Sequence, residues 1–133
     1  MNASLLLKSV RPMAGATVDL LISNGKITQI GDSIEAPDGE TTVIAGGGLI
    51  AVPGFVDAHT HIDKTLLGFP WQPHSAGPTI REKIDNERRL LGTLELDSRE
   101  QSEKQVRLAL SKGTTHIRTH TDVNAEKGLV HLE

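Results

Sequence analysis

Apolar residues in the first third of the chain fall in short runs broken by turn residues. Residues 5–10, 18–22, 27–30 and 42–45 each read as a β-strand by this pattern. Ser23-Asn24-Gly25-Lys26 separates the second run from the third. Asn-Gly tolerates positive φ at both central positions of a tight turn, so this is a hairpin signal. Residues 31–40 are polar and rich in turn formers. Gly46-Gly47-Gly48 lacks the Gly-Lys-Ser/Thr of a phosphate-binding loop and reads as a flexible turn. A new apolar run then follows Pro53-Gly54 and ends at His59-Thr60-His61.

From there the period lengthens. A Pro- and Gly-rich loop over residues 64–77 is placed to cover a site at the end of the preceding strand. A helix is expected to start near Pro78, with Ile80, Ile84 and Leu91 on its apolar side and a charged, solvated opposite face. A second helix is expected from Asp97 or Ser98. Asp97-x-x-Glu100 resembles a capping box, and Val106, Ala109 and Leu110 form the stripe expected to be buried. Gly113 fits its C-terminal stop. Residues 114–123 read as a strand with His116, Arg118, His120 and Asp122 on one parity. Four polar residues facing an interior make sense beside a polar substrate or in a hydrogen-bonded network. Asn124 is a candidate cap for a further helix over residues 125–133.

The chemistry concentrates at Val52-Pro53-Gly54-Phe55-Val56-Asp57-Ala58-His59-Thr60-His61. Residues i and i+2 of a strand share a face, so His59 and His61 aim both imidazoles into one space. Two neutral imidazoles are half of a common transition-metal site. Pro53-Gly54-Phe55-Val56-Asp57-x-His59-x-His61 resembles the first barrel strand of the amidohydrolase superfamily. His61-Ile62-Asp63-Lys64-Thr65 and His116-Ile117-Arg118-Thr119-His120-Thr121-Asp122 are similar to its cytosine-deaminase-like branch.

The resemblance implies an α/β fold: the N-terminal part of a (β/α)8 barrel over residues 53–133, preceded by part of a small β-sandwich over residues 1–52. A complete barrel needs ~250 residues, so the 133 residues here read as the first part of a longer enzyme and are expected to be inactive alone. By the same resemblance, His59 and His61 bind one divalent metal ion, Zn2+ or Fe2+. The remaining ligands and the general acid/base are expected beyond Glu133. The implied reaction removes an amino or alkylamino group from a nitrogen heterocycle such as cytosine, creatinine or an aminotriazine.

Composition narrows the field. The net charge of −3 gives no electrostatic footprint for nucleic acid. The absence of cysteine excludes disulfides, Cys-ligated zinc and the zinc-deaminase architecture built on Pro-Cys-x-x-Cys. No signal peptide and no membrane span are legible, so a cytoplasmic enzyme is expected. Its expected partners are a small heterocyclic substrate and further copies of itself in a homo-oligomer. Phe55, Phe69 and Trp71 are the only aromatics besides histidine, few for a self-sufficient core.

Lys64, Trp71 and His120 are the candidate substrate-binding residues. Lys64 sits at the mouth of the site and either contacts a polar substrate or pairs with Asp63. Trp71 either stacks on a planar ring or anchors packing. His120 is placed near substrate rather than among the metal ligands. Asp57 either orients His59 or serves the barrel floor, and His74 and His131 read as surface histidines. Two other readings start from the same strand motif. One is a dinuclear cyclic amidase of the dihydroorotase or hydantoinase type. The other is a non-catalytic binding or assembly module.

Overall fold

The computed structural model describes residues 4–123, 125, 128–129 and 131–132. The chain divides into two compact units, Met1–Pro53 and Gly54–Glu133.

The first unit is a mixed sheet of five strands: β1 (Ser4–Pro12), β2 (Val18–Ser23), β3 (Lys26–Gly31), β4 (Thr42–Ala45) and β5 (Ile50–Ala51). Its order is β3-β2-β1-β4, with β5 also on β1. The hairpin turn between β2 and β3 has φ of 52° at Asn24 and 72° at Gly25, the positive pair that Asn-Gly favours. β4 and β5 both run parallel to β1. A bulge separates their stretches of β1: the β1–β2 register shifts between Leu7 and Val10, where Ser9 has φ of 55°. Leu6, Val10, Leu20 and Ile34 form the buried apolar core.

The glycine run belongs to this bulge. Gly46 N–H donates to the Lys8 carbonyl at 2.7 Å and Gly48 N–H to the Ser9 carbonyl at 2.7 Å. A β-carbon on Gly46 would meet Val10 Cγ1 at 2.2 Å, so no larger residue fits. The turn expected here is present, but it is a packed, hydrogen-bonded one rather than a flexible spacer.

The second unit opens with β6 (Phe55–Thr60), continues through a 3-10 turn (Ile62–Lys64) and the helices α1 (Ile80–Thr93) and α2 (Ser98–Ser111), and returns in β7 (Thr114–Thr119). β6 and β7 pair in parallel, which requires a long crossover, here supplied by the two helices. Gly54 is needed where the strands begin, because a β-carbon there would overlap the Thr115 side chain at 2.2 Å. Phe55 N–H donates to the Gly113 carbonyl at 2.8 Å, and Gly113 itself has φ of 92°. Gly113 thus ends α2 as expected and starts the pairing of β6 with β7.

α1 begins at Ile80, two residues after the Pro78 start expected. Thr79 is its cap: its hydroxyl accepts from Glu82 N–H at 3.3 Å, and its own N–H donates to Glu82 Oε2 at 2.9 Å. This reciprocal pair is a capping box legible as Thr-x-x-Glu. The Thr79 hydroxyl and N–H also hold the Glu82 carboxyl below its ordinary pKa. At α2, Asp97 caps the helix by accepting from Glu100 N–H at 2.9 Å.

The helices cover only part of the faces expected: Leu91 and Ala109 are half-buried. Ile80 and Ile84 of α1 are exposed, as are Val106 and Leu110 of α2. The covered side of α2 carries Gln101, Gln105 and Ala109 at i, i+4 and i+8. The 3-10 turn packs against α2, and Thr65 just beyond it donates its hydroxyl to Gln105 Oε1 at 3.3 Å. A polar seam toward the end of β6 decides which face of the helix is covered.

β7 ends at Thr119, earlier than the strand expected over residues 114–123. The described residues of 125–132 lie in turns and a bridge rather than a helix. Gly128 has φ of 59°, a left-handed backbone that interrupts a right-handed helix. The proposed cap Asn124 and the helical position Val130 lie outside the described residues. No described helix is long and apolar enough to cross a membrane.

Candidate active site

Parallel strands carry their side chains out at the same end, and β6 and β7 do so with histidines. His59 stands next to last in β6, His61 follows the strand, and His120 follows β7. The backbone is locked at this point: His120 N–H donates to the Thr60 carbonyl at 2.9 Å, and Ile62 N–H to Thr119 Oγ1 at 3.3 Å. The three rings gather as a result. Their centroids are 5.7 Å apart for His59–His61, 4.3 Å for His59–His120 and 5.9 Å for His61–His120. Burial holds the His120 pKa below its ordinary value, aided by the neighbouring His59, Arg118 and His61. A neutral imidazole at neutral pH is a hydrogen-bond acceptor or a ligand rather than a cation.

A charged network borders the cluster. Lys64 Nζ bonds Asp122 Oδ2 at 2.7 Å and Glu87 Oε1 at 2.9 Å. Burial works against the Lys64 charge, but its bonds to Asp122 and Glu87 prevail and hold its pKa above the ordinary lysine value. The Lys64 bond in turn keeps the Asp122 carboxyl below the usual range, against the opposing effect of burial. Asp122 Oδ1 faces His61 Nδ1 at 3.9 Å. Asp63 is 1% exposed; its Oδ2 accepts from Asp122 N–H at 3.4 Å while its Oδ1 has no partner. His61 Nδ1 is likewise buried without a hydrogen-bond partner.

These positions sort the expected residues. His59, His61 and His120 come together. Lys64 pairs with Asp122 and Glu87, not with its neighbour Asp63. Asp57 accepts from the His59 backbone N–H at 3.3 Å, a bond to the main chain rather than to the ring. Trp71 is 84% exposed and is not a packing anchor. His116 and Arg118 are exposed on β7, and His116 Nδ1 meets Thr115 Oγ1 at 2.9 Å. His131 is half-buried against Ser98 Oγ rather than free on the surface. His74 lines a cavity of about 390 Å³ with Lys64, Lys83, Ile84, Glu87 and Leu91, among others, and none of the three clustered histidines borders it. Glu87 had read only as part of a solvated charge run. Its signal was its place on the α1 side that also carries Leu90 and Leu91.

Two imidazoles that gather at one strand end, with ring centroids 5.7 Å apart, fit half of a metal's coordination set. Among the described residues, no group of three or more His, Cys, Asp or Glu side chains is arranged to hold a metal ion.

No family model matches the chain. The uncharacterized protein YahJ of Escherichia coli K12 is 35% identical over 114 residues, covering 84% of this chain and 25% of YahJ. The dihydroorotase of Mycobacterium tuberculosis H37Rv is 45% identical over 60 residues, which are 44% of this chain and 14% of that enzyme. The crystal structure of N-isopropylammelide isopropylaminohydrolase from Burkholderia multivorans ATCC 17616 aligns over 98% of this chain and 32% of its own, with 40% identity and a TM-score of 0.85. The chain therefore spans about a quarter of YahJ and about a third of that solved structure.

Proposed function

This chain is a member of the amidohydrolase superfamily, and on that premise we propose that the intact protein is a metal-dependent hydrolase that removes an amino or alkylamino group from a nitrogen heterocycle. The observation that carries this reading is the convergence of His59, His61 and His120 at the common end of two parallel strands. It is supported by the 40% identity to an isopropylaminohydrolase over nearly the whole chain.

In this reading His59 and His61 hold one divalent ion, Zn2+ or Fe2+. When bound, the ion supplies Lewis acidity and acidifies a water. His120, neutral and packed on His59, offers a hydrogen-bonding nitrogen to a ring heteroatom of the substrate. Lys64 is committed to Asp122 and Glu87, so it stiffens the mouth of the site and reaches substrate only through Asp122. Trp71, exposed on the loop after β6, is available to stack on a planar ring.

The 45% identity to a dihydroorotase favours a second reading, a cyclic amidase. Amine or ammonia release by the intact protein separates the two. The panel contains cytosine, creatinine and aminotriazines, with dihydroorotate and hydantoin as the cyclic-amide arm. The expected result is amine release and one metal ion per chain by elemental analysis. His59→Ala and His61→Ala should each lose the metal and lower turnover by at least about 100-fold, beyond what outer partners of a metal site contribute. His120→Ala should lower turnover more than metal content. Hydrolysis confined to the cyclic amides, with two metal ions per chain, would replace this reading with the dinuclear one.

A further inference from the structure

Two facts about His61 stand together. Its Nδ1 is buried and has no hydrogen-bond partner. The Asp122 carboxylate faces that nitrogen, at 3.9 Å, beyond the ~3.2 Å reach of an N–H···O bond. Leaving a buried donor unmade is costly, and the missing distance is small.

Asp122 is held at two points. Lys64 Nζ fixes its Oδ2 at 2.7 Å, and Asp63 Oδ2 takes its backbone N–H at 3.4 Å. Lys64 is held in turn by Glu87 at 2.9 Å. With Oδ2 bonded to Lys64, Oδ1 is the oxygen that faces His61 Nδ1. Asp57 meets His59 at the backbone, where its Oδ1 accepts the N–H at 3.3 Å.

We propose that Asp122, anchored by Lys64 and Asp63, is the positioning carboxylate of His61: it accepts the Nδ1 proton and so leaves Nε2 as the nitrogen free to act as a ligand. The orientation of a ligating histidine is commonly set by such a hydrogen bond from its other nitrogen. The inference rests on the reading of His61 as a ligand, but its first consequence, the position of the ring proton, exists without any metal.

The test uses the intact, metal-free protein with ¹⁵N-labelled histidine. Long-range ¹⁵N–¹H correlation, assigned with His61→Gln, reads the His61 tautomer. The wild type should carry its proton on Nδ1. Asp122→Ala should shift His61 to a mixture of tautomers and weaken Zn2+ binding by about 10–100-fold, the usual effect of removing such a partner. Lys64→Met should act in the same direction and less strongly, because it frees Asp122 rather than removing it. Should Asp122→Ala fail to fold, Lys64→Met carries the same comparison. An unchanged tautomer with Zn2+ affinity within about twofold of wild type would overturn the proposal. A wild-type protein that binds no divalent metal would remove the proposed function instead, and the tautomer would still decide the role of Asp122.

Discussion

Each half of the molecule buries an aspartate and holds a lysine–aspartate pair, and they do so in opposite styles. In the strand unit, Asp19 is 2% exposed and every interaction closes. Its Oδ1 accepts from Ser9 N–H at 2.8 Å, its Oδ2 from Ile34 N–H at 2.9 Å, and Lys8 Nζ sits 2.8 Å from Oδ2. These bonds, the one to Lys8 foremost, hold the Asp19 pKa down to about 2. In the second unit, Asp63 is as deeply buried, yet its Oδ1 has no partner. Lys64 binds one oxygen of Asp122 and leaves the other facing an imidazole. A satisfied buried carboxylate holds a fold together; one with open valence is poised to position another group. The hydrophobic residues divide in the same way. Among the described residues, the buried ones, Leu6, Val10, Leu20 and Ile34, all lie in the strand unit, while the buried side chains of the other unit are Asp63 and Gln101.

This contrast can be broken by substitution. The largest stability change should come from Leu6→Ala, in β1 and 2% exposed. It should cost about 2–5 kcal/mol, read as a shift of the denaturation midpoint, with no change in metal content. A comparable loss of metal would mean that the two units are not functionally separable.

Next is the acid limb of stability. The folded Asp19 pKa of about 2 lies below its ordinary value of 3.8. The unfolded state therefore binds the proton more readily. The stabilisation is complete above the ordinary value and is lost as pH falls from there toward about 2. Asp19→Asn should lower stability at neutral pH and flatten this acid dependence in pH-resolved melts. A variant with the wild-type slope between those values would show that Asp19 is not the group responsible.

The smallest effect sharpens the comparison from the other side. Trp71 is 84% exposed, so Trp71→Ala should leave stability within about 0.5 kcal/mol. A fall in substrate affinity without a change in melting temperature would assign the ring to substrate; a large stability loss would contradict its exposed placement.

The sequence by itself determined the local elements and the placement of the chemistry. Alternation and turn residues located all four longer strands of the first unit, because strand period and Asn-Gly geometry are local properties. Asp97, Gly113 and the pairing of His59 with His61 were legible for the same reason: caps, left-handed stops and i, i+2 faces depend on neighbours in the chain. The tertiary structure alone decided the rest. Val106 and Leu110 were expected inside and lie outside, since the face a helix buries depends on what packs against it, here a polar turn after β6. Nothing local links Lys64 to Asp122 and Glu87, or Asp63 to the Asp122 backbone. The two Asp122 contacts exist because the pairing of β6 with β7 brings residues some 58 positions apart to one strand end, while Glu87 reaches Lys64 from α1. The same pairing lays His120 on His59, which turns a two-histidine motif into a three-imidazole cluster with a carboxylate beside it.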